Sequence, residues 1–316
     1  MSDKISWIAV DWGSTHLRAY ALGENNQLLH ERTSDKGMGG LAPEAFESAL
    51  LALITDWLPT IKPADGNDHK PIDIIACGMV GARQGWQEAP YLQAPCYPTS
   101  VDNMIDVKTQ DQRIAVKILP GVSQANPADI MRGEETQIAG LLAALTLENS
   151  SDNQAISTVC LPGTHSKWVA LSEGKIDHFA SFMTGEIFSL LSEKSMLRHT
   201  VGSEDWDNAA FIAGVKSSVH NPENLLSNCF RLRARDLLGG LSASSARATL
   251  SGLIIGAELA GSKPFWSGQI VALIGEPKLS QLYAEALDSM GVTSEVFDPK
   301  RLTLLGLTTA YQSLSS

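Results

Sequence analysis

The chain has 316 residues, long enough for two domains of roughly 150 residues, each with its own hydrophobic core. It carries 24 Lys and Arg against 35 Asp and Glu, and the formal charge of −11 disfavours a broad basic surface for nucleic acid or anionic membranes. We find no signal peptide, no apolar run of about 18 residues and no C-x-x-C pair among the four cysteines, so we expect a cytoplasmic protein without a membrane span, zinc site or disulfide framework.

The first half of the chain predicts a three-stranded meander followed by a helix and further strands. Apolar alternation, broken by a polar turn at 23–26, predicts strands over residues 6–10, 17–22 and 27–33. The later predicted elements are a helix from Pro43 to about Trp57, a polar surface connection over 62–71, buried strands over 72–76 and 114–119, and a loop over 120–129.

The second half repeats the meander. Glu134 begins a helix with an apolar face, and residues 155–182 again predict three strands joined by short turns. The remaining predictions are a largely helical stretch over 186–259, a buried strand over 270–274, and helices over 279–290 and 302–314. Gly306 and Ala310 lie on one side of the last helix, where another backbone is able to pack closely.

Two loops in these meanders share one pattern. Gly13 and Gly163 lie 150 residues apart, and each follows a buried strand and precedes hydroxyl side chains. Such turns offer N–H groups and hydroxyls to phosphate oxygens, although plain hairpin turns favour the same residue types. Because the pattern occurs twice, we interpret both loops as phosphate-binding. The assigned residues are Gly13, Ser14 and Thr15 in the first loop, and Gly163, Thr164, His165, Ser166 and Lys167 in the second.

Only the first loop follows a carboxylate, Asp11, so we expect Asp11 to hold a single Mg²⁺ directly or through water. In the second loop, Lys167 is either a phosphate-binding cation or an ordinary strand residue facing solvent. Phosphoryl transfer relies on positioning and electrostatic stabilisation, so we interpret His165 as a hydrogen-bond donor rather than a nucleophile.

Glu134 and Glu135 stand at a predicted helix start. One of them is a candidate general base, because a carboxylate within reach of a substrate hydroxyl accepts its proton. The helix dipole alone also favours acidic residues there. Adjacent helical side chains diverge by about 100 degrees, so we expect only one of the two to serve.

A glycine-rich segment, residues 77–86, follows a buried strand, where α/β sheets commonly bind ligands. Arg83 suits bidentate recognition of a carboxylate, with Gln84 and Trp86 beside it, although a surface loop with a salt bridge has the same composition. Arg18 and Arg132 are rival cations for the same role. We find neither a Walker A motif nor a strand-linked G-x-G-x-x-G motif in the sequence.

Five segments occur in an order that resembles the actin, heat-shock ATPase and sugar-kinase superfamily. They are the Asp11-Trp12-Gly13-Ser14-Thr15 loop, the Gly133-Glu134-Glu135-Thr136 helix start, the Gly163-Thr164 loop, the turn at Gly275 and the helix with Gly306. More narrowly, the motifs at residues 11–15, 78–86, 120–137, 161–169 and 181–186 resemble those of the 2-dehydro-3-deoxygalactonokinase family. The resemblance covers nearly the whole chain.

This resemblance implies an α/β fold of two ribonuclease-H-like domains, each a mixed sheet with an N-terminal antiparallel meander flanked by helices, with a cleft between them. We expect the domains at residues 1–130 and 131–316. The implied activity is ATP-dependent phosphorylation of 2-dehydro-3-deoxy-D-galactonate at its terminal hydroxyl in galactonate catabolism. Mg·ATP is expected between the two phosphate loops, with adenine near Gly275.

The resemblance also suggests which residues serve the reaction. Some superfamily members use the Asp of an Asp-Thr pair at this helix start as the base, and Glu135-Thr136 occupies that place here. Other sugar kinases carry Gly-Asp there, which would instead make Glu134, after Gly133, the base. The expected contacts of the sugar acid are Gly39, Gly40, Arg83, Gln84, Trp86 and Arg132.

Two other functions fit the same motifs. One is a kinase for another sugar or sugar acid, including the gluconate-derived epimer. The other is an ATP-hydrolysing switch protein, because a fold by itself does not fix a function. The sequence leaves the oligomeric state open, a homodimer being one option.

Overall fold

The computed structural model describes residues 4–60, 70–147, 156–203 and 205–314, and it divides into two compact units. The first unit comprises residues 1–150 and 300–316, and the second comprises residues 151–299. The sequence predicts a boundary after residue 130. The observed division comes later because the helix that begins at Glu134 belongs to the first unit, to which the C-terminal helix also returns. Residues 62–69 of the predicted surface connection lie outside the described residues.

The strands of the described residues are, in chain order, β1 (Trp7–Trp12), β2 (Leu17–Leu22), β3 (Leu28–Ser34), β4 (Ile72–Gly78), β5 (Tyr91–Gln93), β6 (Ile105–Val107), β7 (Ile114–Ile118), β8 (Gly121–Ala125), β9 (Ala128–Met131), β10 (Thr158–Leu161), β11 (Ser166–Ser172), β12 (Lys175–Phe182), β13 (Val271–Ile274) and β14 (Ser294–Phe297).

The α-helices of the same residues are α1 (Phe46–Ile54), α2 (Glu134–Leu147), α3 (Thr184–Ser189), α4 (Asn208–His220), α5 (Leu225–Leu237), α6 (Ala243–Gly261), α7 (Lys263–Trp266), α8 (Pro277–Asp288) and α9 (Pro299–Ser313). Within the described ranges, none of these helices has the length and apolar character needed to cross a membrane.

The first unit is built on a six-stranded sheet ordered β3-β2-β1-β4-β7-β6. Strands β1, β2 and β3 pair antiparallel, and β4 and β7 run parallel to β1, which confirms the predicted meander. Side chains of β1 alternate between two cores: Val10 and Trp12 pack with α1, whereas Trp7 and Ala9 pack with α9. The same alternation places Asp11 on the α9 face of the sheet.

The second unit has a five-stranded sheet ordered β12-β11-β10-β13-β14. Its first three strands also pair antiparallel, and β13 and β14 run parallel to β10. Its main core lies between this sheet and helices α4, α6 and α8. The first four strands of each unit thus share the ribonuclease-H order, third-second-first-fourth, and the predicted fold class is confirmed.

The predicted loop over residues 120–129 is wrong. Strands β8 and β9 form an antiparallel hairpin there, with Ala125 opposite Ala128, and β8 also pairs with β5. Only Asn126 and Pro127 lie in a turn, the two-residue turn of this hairpin. The short strands β5, β6 and β14 were not predicted either, because three or four residues carry little periodic signal.

Helices α2 and α9 are in direct backbone contact within the first unit. A Cβ added to Gly140 would lie 1.9 Å from the carbonyl oxygen of Leu302, and one added to Gly306 would lie 2.0 Å from that of Thr136. The expected close packing at Gly306 is therefore confirmed. This contact holds the N-terminal turn of α2, which carries Glu135, against α9.

We predict that Gly306→Ala lowers the free energy of unfolding by about 1–3 kcal/mol, because the new methyl group overlaps the backbone of α2. Urea denaturation of the purified protein measures the change. Gly240→Ala is the matched control, since the nearest atom to its added Cβ is 3.8 Å away. Equal midpoints for the two variants would contradict the prediction.

Candidate active site

The loop after β1 is held by the segment that follows β3. The amides of residues 37–39 donate hydrogen bonds to the carbonyls of residues 13–15, with N···O distances of 3.0–3.1 Å. A Cβ on Gly37 would lie 2.2 Å from the carbonyl carbon of Thr15, so only glycine permits this approach. The segment that contains the predicted substrate contacts Gly39 and Gly40 therefore shapes the first loop.

These hydrogen bonds also orient the opposite side of the loop. In a trans peptide, each carbonyl points away from the N–H group of the following residue. Because the carbonyls of Gly13 and Ser14 point toward residues 37–39, the N–H groups of Ser14 and Thr15 point away from them. The side chains of Ser14 and Thr15 are exposed. Adjacent N–H groups and hydroxyls of this kind are typical of anion-binding turns.

Asp11 lies near the end of β1, opposite Arg18 on β2. Arg18 donates a hydrogen bond of 2.9 Å to Oδ2 of Asp11. Burial raises the pKa of Asp11, and the Arg18 guanidinium opposes that rise. Oδ1 lies 3.7 Å from the position that a Cβ on Gly78 would occupy, so the glycine leaves space beside this oxygen. The Asp11 side chain is 22% exposed.

Glu135 is 1% exposed in the first turn of α2. The N–H group of Gly133 donates to both its carboxylate oxygens, at 2.9 and 2.7 Å, and the Thr136 hydroxyl donates at 3.2 Å. Burial, reinforced by the charge of Glu134, raises the pKa of Glu135 to about 7. Glu134 is more exposed and accepts a hydrogen bond of 3.0 Å from the backbone of Arg132. A pKa near neutrality suits Glu135 to general-base chemistry.

Two glycines bring the start of α2 against the end of β4. Gly78 and Gly133 have φ angles of +90° and +105°, and a Cβ on Gly133 would lie 3.3 Å from the Cα of Gly78. Burial raises the pKa of the neighbouring Cys77, and the charges of Asp11 and Glu135 raise it further. The predicted metal ligand and the predicted base therefore cluster around one strand end within the first unit.

The loop after β10 is supported in the same way within the second unit. A Cβ on Gly185 would lie 2.4 Å from the carbonyl oxygen of Gly163, and the amide of Glu186 donates at 3.0 Å to the carbonyl of Thr164. Gly185 follows β12 as Gly37 follows β3. The internal repeat therefore includes the supporting segment, which sequence reasoning did not identify.

The surface of the second loop is formed by Thr164 and His165, both exposed. His165 Nε2 lies 2.6 Å from a carboxylate oxygen of Glu186. Ser166 and Lys167 are predicted as phosphate contacts, but both lie in β11 with buried side chains, 0% and 5% exposed. They are the first two residues of β11, an inner strand of the sheet, and follow the loop directly.

An apolar cavity of about 200 Å³ lies beside Gly163 in the second unit. Gly275, the predicted adenine contact, does not line the cavity but packs against the second loop, since a Cβ there would lie 2.9 Å from the Pro162 carbonyl. Helix α8, which follows Gly275, contributes three of the wall residues. The large apolar side chains of the wall are Phe188, Trp206, Ile254, Ile255, Leu279 and Leu282.

The predicted substrate residues after β4 differ in exposure. Arg83 and Gln84 are exposed in the turn that follows the strand. Trp86 is half-buried against the core, with its ring centroid 6.1 Å from that of Trp12 and 6.3 Å from that of Phe46. Trp86 therefore anchors this turn to the core through its contacts with Trp12 and Phe46.

The other predicted substrate residues lie on two further segments. Arg132 is 9% exposed, stacks on Tyr91 at 4.2 Å and donates a 2.8 Å hydrogen bond to the carbonyl of Ala89, so it fastens β9 to the start of β5. Gly39 and Gly40 are exposed beside the first loop.

Comparisons with known proteins agree with this architecture. A family model for 2-keto-3-deoxy-galactonokinase matches residues 11–310. A probable 2-dehydro-3-deoxygalactonokinase of Rhizobium meliloti is 37% identical over 98% of this chain and 97% of its own length. The 2-dehydro-3-deoxygalactonokinase of Escherichia coli is 33% identical over 90% of each chain. The crystal structure of a putative 2-dehydro-3-deoxygalactonokinase from Sinorhizobium meliloti superposes with a TM-score of 0.85, at 35% identity and coverage of 98% and 99%.

The repeated sheet, its glycine-supported loops and these similarities together define a carbohydrate kinase with the actin-like ATPase fold. Enzymes of this class transfer a phosphoryl group from ATP to a small-molecule acceptor. The chain belongs to the 2-keto-3-deoxy-galactonokinase family, which confirms the resemblance seen in its motifs.

The raised pKa of Glu135 predicts a pH-dependent stability. Between pH 4.5 and about 7 the folded state keeps a proton that the unfolded state releases, so the free energy of unfolding falls as the pH rises, by about 3 kcal/mol. Glu135→Gln removes this contribution and stabilises the protein relative to wild type above pH 7. Urea titrations of both proteins from pH 4.5 to 8 measure the difference. A difference that stays constant with pH would refute the assignment.

Proposed function

We propose that this protein catalyses ATP-dependent phosphorylation of 2-dehydro-3-deoxy-D-galactonate at its terminal hydroxyl, giving the 6-phosphate in galactonate catabolism. The observation that carries this proposal is the 37% identity, over nearly the full length of both chains, to a relative named for that activity. We also propose a cytoplasmic location, which the four free cysteines support.

We assign the magnesium site to Asp11. Mg²⁺ usually binds through one or two carboxylates together with substrate phosphates and water, so one carboxylate is sufficient. Space beside Oδ1, left by the absent side chain of Gly78, supports this fit. When bound, Mg²⁺ neutralises phosphate charge. The Arg18 guanidinium donates to Oδ2, the other carboxylate oxygen of Asp11, and partly neutralises its charge.

We assign the phosphate groups of ATP to the loops at Gly13 and Gly163. The first loop offers the N–H groups and hydroxyls of Ser14 and Thr15, and the second offers its backbone with Thr164 and His165. The apolar cavity beside Gly163 suits the adenine ring, because its walls are mainly aliphatic and aromatic. Adenine would then lie next to the start of α8 rather than on Gly275 itself.

We assign the general base to Glu135. Its carboxylate accepts the proton of the terminal hydroxyl as the oxygen forms a bond to the γ-phosphorus of ATP and the bond to ADP breaks. Burial supports this role because it raises the pKa of Glu135 to about 7, close to the pH at which a base works best. Glu134 is the alternative base.

For the substrate carboxylate we propose Arg83. Arg18 is bonded to Asp11, whereas Arg132 is 9% exposed, lies against Tyr91 and donates only from Nη2, to Ala89. Because Nε and Nη1 of Arg132 have no hydrogen-bond partner among the described residues, Arg132 is the alternative. The exposed guanidinium of Arg83 is open to a ligand, and its planar fork matches a carboxylate.

The test of this function is ADP release by the purified protein with and without 2-dehydro-3-deoxygalactonate. We expect turnover to require the sugar acid and Glu135→Gln to lower kcat by about 10²–10⁴. The matched control is Glu134→Gln, which keeps the base and, because it removes a charge that raises the pKa of Glu135, shifts the acid limb of the rate profile to lower pH.

Three outcomes would contradict these assignments. Hydrolysis of ATP that is independent of the sugar acid favours the switch-protein alternative. Faster turnover with the gluconate-derived epimer or another sugar acid than with 2-dehydro-3-deoxygalactonate would make that compound the substrate. A larger loss of kcat in Glu134→Gln than in Glu135→Gln assigns the base to Glu134.

Arg83→Ala is expected to raise KM for the sugar acid about 10–100-fold and to leave KM for ATP nearly unchanged, because only a charge-assisted contact with the carboxylate is lost. Steady-state kinetics with each substrate varied in turn measure this. Arg113→Ala is the control, since Arg113 pairs with Asp111 in the same unit. An equal rise of both KM values in Arg83→Ala would place the carboxylate contact elsewhere.

A further inference from the structure

A buried carboxylate lies beneath the second loop and has no role in the mechanism above. Glu258, on α6, is 3% exposed. It accepts hydrogen bonds from Trp168 Nε1 at 2.7 Å, from the Tyr283 hydroxyl at 2.6 Å and from the Thr184 hydroxyl. Within the described ranges, no Lys, Arg or His forms an ion pair with it. Three neutral donors therefore compensate for its desolvation.

The three donors belong to the elements that shape the nucleotide site. Trp168 lies on β11, Thr184 begins α3, and Tyr283 lies on α8. The Tyr283 hydroxyl is also hydrogen-bonded to the Ser166 hydroxyl, at 2.9 Å. One carboxylate thus connects three segments that are distant in sequence.

These connections lead to both ends of the second loop. Ser166 directly follows the loop, and Gly185, next to Thr184, packs against the carbonyl of Gly163 at its beginning. Thr184 and Tyr283 also line the apolar cavity beside Gly163. Movement of the Glu258 carboxylate would therefore change the loop and the cavity wall together.

A buried charge is an inefficient way to gain stability, because well-packed apolar residues of similar volume often stabilise a core as well or better. A carboxylate with three directed donors does fix the orientation of each donor. It also occupies the hydroxyls of Thr184 and Tyr283, two residues of the cavity wall.

We propose that Glu258 is a positioning residue of the nucleotide site: it holds the second phosphate loop and the cavity wall in the arrangement that binds ATP. This inference rests on the proposed function, which places ATP at Gly163. Glu258 itself contacts neither phosphate nor adenine. Its effect passes through Thr184, Tyr283 and Ser166.

The test is Glu258→Gln, which keeps the shape of the side chain but replaces one acceptor oxygen by an NH₂ donor. At least one of the three donors then loses its partner. We expect KM for ATP to rise about 10–100-fold, the range for losing a hydrogen bond to a charged group, while KM for the sugar acid at saturating ATP changes less than about 3-fold. The dissociation constant of ADP, measured by calorimetry, should rise in parallel.

Two further variants separate positioning from stability. Tyr283→Phe keeps the ring in the cavity wall and removes only the hydroxyl, so it should raise KM for ATP in the same direction even if Glu258→Gln does not fold. Asp236→Asn is the control: Asp236 accepts hydrogen bonds from Thr200 and Arg233 in the same unit but lies outside the cavity. It should lower the melting temperature without changing KM for ATP.

The proposal is overturned if Glu258→Gln or Tyr283→Phe lowers the melting temperature as Asp236→Asn does but leaves nucleotide binding unchanged. Failure of the proposed function gives a different result. A wild-type protein that binds ADP but does not phosphorylate the sugar acid removes the kinase assignment, and ADP binding by the variants still tests Glu258. A wild-type protein that binds no nucleotide overturns both.

Discussion

Backbone contact at a glycine shapes the loop after the first strand of each unit. In the first unit Gly37 lies against Thr15, and in the second Gly185 lies against Gly163, at distances that no Cβ permits. Amides of the supporting segment donate hydrogen bonds to carbonyls of each loop. Because a trans peptide is planar, the N–H group that follows each bonded carbonyl then points to the opposite side of the loop. The proposed binding of phosphate by these loops therefore relies on backbone geometry that this contact creates.

A second constraint is the burial of acidic groups near the end of β4. Asp11 and Glu135 both lose hydration there, and each is compensated differently. Arg18 pairs with Asp11, whereas among the described residues the Gly133 N–H group and the Thr136 hydroxyl donate to Glu135; burial raises the pKa of both carboxyl groups. Because desolvation disfavours a charged carboxylate, burial brings the pKa of Glu135 to about 7, where it exchanges a proton near neutral pH.

Local patterns predicted much of the fold correctly. Apolar segments bounded by turn residues identified both meanders, and apolar residues at helical spacing identified α2, α8 and α9. The hairpin of β8 and β9 was missed because its strands are only five and four residues long, and β8 also pairs with β5, which is distant in sequence. Ser166 and Lys167 have loop-like composition, yet they begin an inner strand and their side chains are buried, that of Ser166 against Tyr283 on α8. Such burial is a property of the sheet and not of the local segment.

The sequence by itself determined the repeated strand–glycine–hydroxyl pattern, the position of Asp11 at a strand end and the acidic start of α2, because these depend on spacing along a few residues. Only the tertiary structure decided what supports each loop, which glutamate is buried, and that Glu258 joins three elements beneath the second loop. Burial and hydrogen bonding between segments arise from packing, and packing depends on residues that the chain brings together from far apart in sequence.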